Sequence, residues 1–340
     1  MTQERSFTMN IKNQIIQAPP ISALNNHAMF LGVLFLNPTY ERHFFSHYVN
    51  LQYDPESIWK IVNFIIPRFY TEEDFLVVTE MAYDRFDMFS DEEFLKLIYK
   101  MMNQGYYLYG HVNEKYIPDR PAYQQVDFMH DILLYGANVS EEKLDCISYV
   151  MGDDMISVHY KPGELNYNNF IKAIKEISNR NHFHFFKAKE NYEFKFDADL
   201  LKAQLHDYLN ARNETFDMQY SSSCVFGIAV YDPIIKEIES NEDFEYFDHR
   251  ITKILLEHKQ CMLQRIEYLI SHHIISSEND LLDYKNVVTE FEQIHSLAIK
   301  YSVTGSMRIK AQICEKITSA IELEKTILLN LINVLETITD

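Results

Sequence analysis

The sequence predicts an α+β protein: an antiparallel sheet built around a buried helix, followed by a C-terminal helical bundle. Three observations carry this. Between residues 106 and 160 the apolar residues fall in short β-branched or aromatic runs broken by Gly, Pro, Asn and Asp, the pattern of antiparallel strands. On either side the spacing is helical, and from Phe244 onward it lengthens into three amphipathic stripes. A composition of 47% apolar and 14% aromatic residues, with only 8 Gly and 9 Pro, belongs to a packed globule. At 340 residues the chain exceeds one minimal core, and the change of character divides it into an α+β domain over 1–240 and a three-helix region over 241–340.

Taken in order, Pro19-Pro20-Ile21-Ser22 stops extended structure and offers Ser22 as the N-cap of a helix reaching about Leu36, where Asn37-Pro38 ends it. This helix is apolar nearly all round, which suits a buried central position. Helical spacing returns over Pro55–Ile65 and over Ser90–Asn103, the second with Asp91, Glu92 and Glu93 in a first turn that favours carboxylates. Strands are expected at Tyr106–Val112, Phe128–Gly136, Asp145–Met151 and Met155–Tyr160. Helices follow at Tyr167–Ile177 and Asp197–Ala211, with further strands at His182–Phe186 and Cys224–Tyr231. The last three helices span Phe244–Ile274, Glu278–Lys300 and Ser306–Ile338. Ile251, Ile254, Leu255, Cys261 and Met262 hold one stripe of the first, and Ile313, Ile317, Ile321 and Leu328 one stripe of the last.

A formal charge of −19 repels phosphate backbones and anionic lipid, so nucleic acid and membrane are unexpected partners, while amines, polyamines among them, are attracted. The leader lacks an apolar signal run, no stretch of about 18 uncharged apolar residues follows, and a cytoplasmic protein is expected. The cysteines, Cys146, Cys224, Cys261 and Cys314, are widely spaced, which favours reduced, mostly buried thiols over disulfides or a zinc site. No Gly-rich phosphate loop occurs, and no cofactor is implied. The stripes of the C-terminal helices are expected to form their shared core, with a homodimer contact as the alternative.

The segment from Tyr116 to Gly136, YIPDRPAYQQVDFMHDILLYG, concentrates the candidate chemistry. It sets His130 at the start of an apolar strand after a Pro-containing loop. The next strand should fold back through Asn138–Lys143, closing near residues 140 and 141, which brings Met151 to Asp153 opposite His130. Asp153, or Asp154, would then accept the Nδ1 proton and fix the imidazole tautomer.

On the loop Tyr116-Ile-Pro-Asp-Arg-Pro-Ala-Tyr123, the strand His130-Asp-Ile-Leu-Leu-Tyr-Gly136 and the later Gly227-Ile-Ala-Val-Tyr231, the chain resembles the papain-like, C39-peptidase-like acyltransferases related to the butirosin-pathway acyltransferase and the closthioamide amide synthase, over roughly residues 15 to 240. The resemblance implies a papain-like cysteine-protease fold, a central helix against an antiparallel sheet. It also implies a cysteine at a helix N-terminus that takes an acyl group from an acyl or peptidyl carrier protein and passes it to an amine, with His130 as general base. The chemistry is general: the helix dipole and an imidazole favour the thiolate. Gln17, six residues before Ala23, matches the oxyanion donor. Ala23 then occupies the nucleophile position, with Ala28 as a second candidate, and no cysteine precedes Cys146. Either a natural pseudoenzyme or a Cys→Ala replacement accounts for this. Three functions are therefore expected to compete: a thiol-dependent, amide-forming acyltransferase acting in natural-product biosynthesis; a non-catalytic peptide- or carrier-binding protein; and a cysteine peptidase.

Other features read more simply. His182 and His184 share a strand face but lack a third metal ligand at standard spacing. His272-His273 closes a helix at the dipole's negative end. Ser221-Ser222-Ser223 lacks the flanking glycines of a nucleophile elbow.

Overall fold

The computed structural model describes residues 16–66, 75–82, 85, 88–151, 158–177, 182–216, 218–240, 248–276 and 278–338. In chain order the elements are α1 (Asn25–Leu34), α2 (Tyr40–His47), β1 (Leu51–Tyr53), β2 (Asn63–Phe64), β3 (Leu76–Ala82), α3 (Asp91–Asn103), β4 (Tyr107–Asn113), β5 (Met129–Asn138), β6 (Lys143–Met151), β7 (Val158–Asn166), α4 (Tyr167–Lys175), β8 (His182–Ala188), α5 (Ala198–Leu209), β9 (Val225–Phe226), α6 (Tyr231–Ser240), α7 (Arg250–Ser271), α8 (Glu278–Thr304) and α9 (Met307–Ile338). The fold is mixed α+β with a C-terminal helical region. The chain divides into two compact units, the first drawn from Met1–Asn37 and Arg68–Tyr192, the second from Pro38–Pro67 and Glu193–Asp340.

The first unit holds a six-stranded antiparallel sheet in the order β3-β8-β4-β5-β6-β7. Its hairpin from β5 to β6 closes as the sequence suggests: Asn138 pairs with Lys143, and the tight turn between them uses Glu142 in the left-handed region at φ 52°. One face of the sheet is covered by α3 and α4. Phe94, Ile98 and Met102 of α3 and Phe170, Ile171 and Ile174 of α4 join Leu108, Val112, Ile132, Leu134, Leu144 and Cys146 in one core. Helix α3 starts as expected, with Ser90 and Glu93 closing a reciprocal capping box. The other face receives α1, where Phe30 lies against Tyr109 and Phe186 with ring centroids 5.0 and 4.5 Å apart.

Helix α1 begins at Asn25, not directly after Ser22. Its N-cap is Leu24, with no side-chain cap, and the Ser22 carbonyl accepts a hydrogen bond from Tyr149.

The second unit contains the small sheet β2-β1-β9 and the helices α2, α5, α6, α7, α8 and α9. Two expectations fail here. Pro55–Ile65 forms a turn and β2, because Asp54 accepts from the Glu56 amide to make an Asx turn and Val62 and Phe64 alternate inward beside β1. Cys224–Tyr231 is a two-residue strand followed by a 3-10 turn into α6. Gly227 makes that bend at φ +54°, where a Cβ would lie 2.2 Å from the Tyr208 carbonyl oxygen.

The second unit also buries a polar cluster. Lys259 and Glu324, both with fully buried side chains, pair at 2.7 Å. The ammonium also donates to the Tyr208 hydroxyl at 3.0 Å and lies 3.1 Å from His258 Nδ1, while Tyr208 and Tyr284 donate to Glu324. Every group has a partner, as burial of charge requires.

Candidate functional site

His130 stands near the start of β5, opposite Val112 of β4. Strand alternation puts Val112 and Glu114 on the same side, so the residue just past β4 becomes the diagonal neighbour of His130. Glu114 Oε1 lies 2.8 Å from His130 Nδ1, and the Glu114 side chain is 2% exposed. Asn113 fixes this turn: its side-chain oxygen accepts from the Lys115 and Phe128 amides, and its nitrogen donates to Asp127 and to the Glu176 carbonyl.

On the other side of the ring, Nε2 is 3.0 Å from Asn25 Nδ2, in the first turn of α1. With the carboxylate accepting from Nδ1–H, a neutral ring presents the Nε2 lone pair to the Asn25 amide. This is the tautomer a general base needs. Asn25 itself is 6% exposed, and its Oδ1 is buried without a hydrogen-bond partner. Two rings flank the imidazole: Tyr149 is stacked at 5.8 Å and Phe128 is tilted at 5.3 Å. The imidazole is thus held from both directions along its ring and walled by aromatic carbon.

Next in sequence, Asp131 belongs to a different group. It accepts from Tyr109 at 2.6 Å and lies 3.2 Å from His111. Burial pushes its carboxyl up, but the hydrogen bonds from His111 and Tyr109 and the charges of His111 and His130 outweigh this and hold it below the usual aspartate value.

Several sequence expectations are redrawn. His130 stands near the start of its strand as expected, but its Nδ1 partner is Glu114; Asp153 and Asp154 lie outside the described residues. The side chain meeting Nε2 belongs to Asn25. Ala23, half-buried, precedes the helix, and Ala28 is fully buried one turn into it; their methyl groups offer no nucleophile. Gln17 does not join the group. Its backbone amide donates to the Gly32 carbonyl, seven residues along α1 from Asn25 and so about 10 Å away along the axis, and its side chain is exposed.

Among the thiols, Cys146 is the one in the same unit. Burial pushes it up to about 11, with Arg120 opposing, so it is protonated and unreactive. Among the described residues no group of three or more His, Cys, Asp or Glu side chains is arranged to hold a metal, and no helix is long and apolar enough to cross a membrane. His184 pairs with Glu80 across β8 and β3 at 3.3 Å.

The signal for Glu114 was present in the sequence. A strand at 106–112 pairing antiparallel with the His130 strand brings residue 114 beside it, whereas the expectation considered only the following strand. Asn25 carried no comparable signal, because its position depends on where α1 starts. No family model and no curated protein matches the chain.

Proposed function

We propose that this chain is an amide-forming acyltransferase on a papain-like scaffold, passing an acyl group from a carrier-bound thioester to an amine without a covalent acyl-enzyme. The observation that carries it is His130, bridged between a buried Glu114 carboxylate and the Asn25 amide at the start of the buried helix. A buried carboxylate is costly unless it is put to use, and here it holds an imidazole in the base tautomer. The thioester donor and amine acceptor come from the resemblance of the Tyr116–Gly136 segment, not from the geometry.

In this reading the amine nitrogen attacks the thioester carbonyl and loses a proton to His130 Nε2 as the C–N bond forms. The tetrahedral adduct collapses, the C–S bond breaks, and the carrier thiolate leaves with the proton from Nε2. Glu114 stabilises the imidazolium between the two transfers. Asn25, released from Nε2 by the substrate, donates its amide to the developing oxyanion. In this reading the Asn25 amide, and not Ala23 or Ala28, takes the place that the resemblance gives to a thiol, so binding and direct transfer remain while acyl-enzyme chemistry does not.

The test uses the full chain with a synthetic acyl thioester and a diamine, following thiol release and amide product. Amide should form with no acyl adduct in the intact mass. His130→Gln should lower kcat/KM by about 10²–10⁴-fold, and Asn25→Cys should accumulate a covalent acyl-enzyme. Absence of amide from the native chain and of adduct from Asn25→Cys would leave the site as a binding site only.

A further inference from the structure

We infer that the Asn25 side chain is a two-point site that selects a primary amine as acyl acceptor, its amide oxygen taking one N–H of the attacking nitrogen while His130 takes the other. This rests on reading the His130 site as an acyl-transfer centre and names the class of its acceptor.

Asn25 Oδ1 is buried and has no hydrogen-bond partner among the described residues, in a residue only 6% exposed. A buried acceptor left empty is destabilising. An asparagine at a helix start ordinarily caps the helix, its oxygen accepting from an amide of the first turn. Here Leu24 holds the N-cap position, its carbonyl accepting from the His27 and Ala28 amides, and no side chain caps α1. The Asn25 oxygen therefore serves no cap.

The ring decides which end of the amide faces it. Glu114 lies 2.8 Å from Nδ1, so a neutral imidazole donates there and keeps its lone pair on Nε2. The amide atom 3.0 Å from Nε2 is then the donor Nδ2, and the atom left over is the oxygen. Empty acceptor and base are close neighbours, because Oδ1 and Nδ2 share one carbon and lie about 2.2 Å apart by ordinary bond lengths. The imidazole is the open side of the pair, with the His130 side chain 24% exposed. The last torsion of an asparagine is soft and roughly two-fold. A substrate that arrives over the ring and draws Nδ2 off Nε2 therefore turns Oδ1 toward itself as well.

In the tetrahedral adduct the oxyanion and the new nitrogen also share one carbon. The amide matches that spacing with a donor and an acceptor, so Nδ2–H to the oxyanion and N–H to Oδ1 run side by side, as in a pair of amides. When the C–N bond forms, the carbonyl π pair moves to oxygen and the nitrogen holds two hydrogens. One leaves as a proton to Nε2; the other stays on nitrogen, held by Oδ1, and remains in the product amide. The C–S pair then departs with sulfur, which takes the proton from Nε2. A secondary amine, an alcohol or a thiol has one hydrogen on the attacking atom and leaves either Nε2 or Oδ1 without it.

The test uses the full chain and two kinds of probe. δ-Valerolactam holds its N–H and C=O side by side, as the adduct does, and its N-methyl derivative lacks the hydrogen. In calorimetric titration the first should bind at least about tenfold tighter, the scale of a buried acceptor left unpaired. Asn25→Leu, of similar volume, should abolish that preference. Asn25→Asp keeps an acceptor but no donor, so both lactams should weaken while the preference survives; its loss there counts against the site even if Asn25→Leu does not fold. With one synthetic acyl thioester, n-butylamine should exceed its isomer N-methylpropylamine, of similar basicity, by at least about tenfold in kcat/KM.

Absence of a preference between the lactams, or equal kcat/KM for the two amines, overturns the inference. A lactam preference with no turnover of either amine sinks the transfer reading and leaves the two-point site standing. Equal turnover of both amines with no lactam preference does the reverse.

Discussion

At the scale of single residues, two adjacent side chains of β5 have separate tasks. His130 is bridged by Glu114 and Asn25, whereas Asp131 is tied to Tyr109 and His111. Glu114→Gln keeps an acceptor for Nδ1–H but removes the charge, so kcat is expected to fall by about 10²-fold or more with KM and unfolding midpoint little changed. Asp131→Asn should act on stability, costing roughly 1–3 kcal/mol at pH 7. A carboxyl held below its unfolded value stabilises the fold above about pH 4, and that contribution disappears as pH falls through the folded value. The difference between native and Asp131→Asn proteins in chemical denaturation should therefore shrink as the pH falls below about 4. In the second unit, Lys259→Met leaves Glu324 buried without its cation, and a loss of roughly 3–5 kcal/mol is expected in the same measurement.

At the scale of elements, legibility followed periodicity. The strands β4, β5, β6 and β8 and the helices α3, α4, α5, α8 and α9 were readable because one period ran through each. The β5–β6 turn was also readable, since Asn138–Lys143 carries the composition of a tight turn, but the irregularity between Leu134 and Gly136 that shifts the register beyond it was not. The misses occur where a tertiary contact overrides a local signal. Ser22 gives its carbonyl to Tyr149, and α1 starts three residues later, with Asn25 and not Ala23 against His130. The strands β1 and β2 are too short to show a period. The turn at Gly227 was legible only as a glycine; its requirement comes from the Tyr208 backbone, distant in sequence. Gly227→Ala combines a positive φ with a Cβ inside that backbone. It is expected to cost more than about 2 kcal/mol, and a urea titration gives the value.

At the scale of the whole molecule, the two units should respond differently to acid. Burial, aided by the charge of His47, holds His43 down at about 3, and burial, aided by Lys253 and His249, holds His295 at about 4. Burial also pushes His258 well below its usual value. All three belong to the second unit. An unfolded histidine takes up a proton below about pH 6.5, whereas these do not, so stability falls as pH drops from 6.5 towards 3, by roughly 1.4 kcal/mol per pH unit for His43 alone. Calorimetric scans at pH 7 and pH 5 should show one transition moving down more than the other. In His43→Phe the shift should be smaller. Equal shifts of both transitions would mean that these histidines do not control acid stability.

The division of the chain also sets an order of assembly. The second unit takes Pro38–Pro67 and then nothing until Glu193, while the first is complete once Tyr192 has left the ribosome. At a synthesis rate of about 5–20 residues per second, the remaining stretch to Asp340 takes roughly 7–30 s. During that interval Phe44, Tyr48 and Leu51, which end up fully or almost fully buried, have no late helices to cover them. A nascent chain of this design depends on whatever shields that early segment, and a slow codon or a pause after residue 192 would lengthen its exposure.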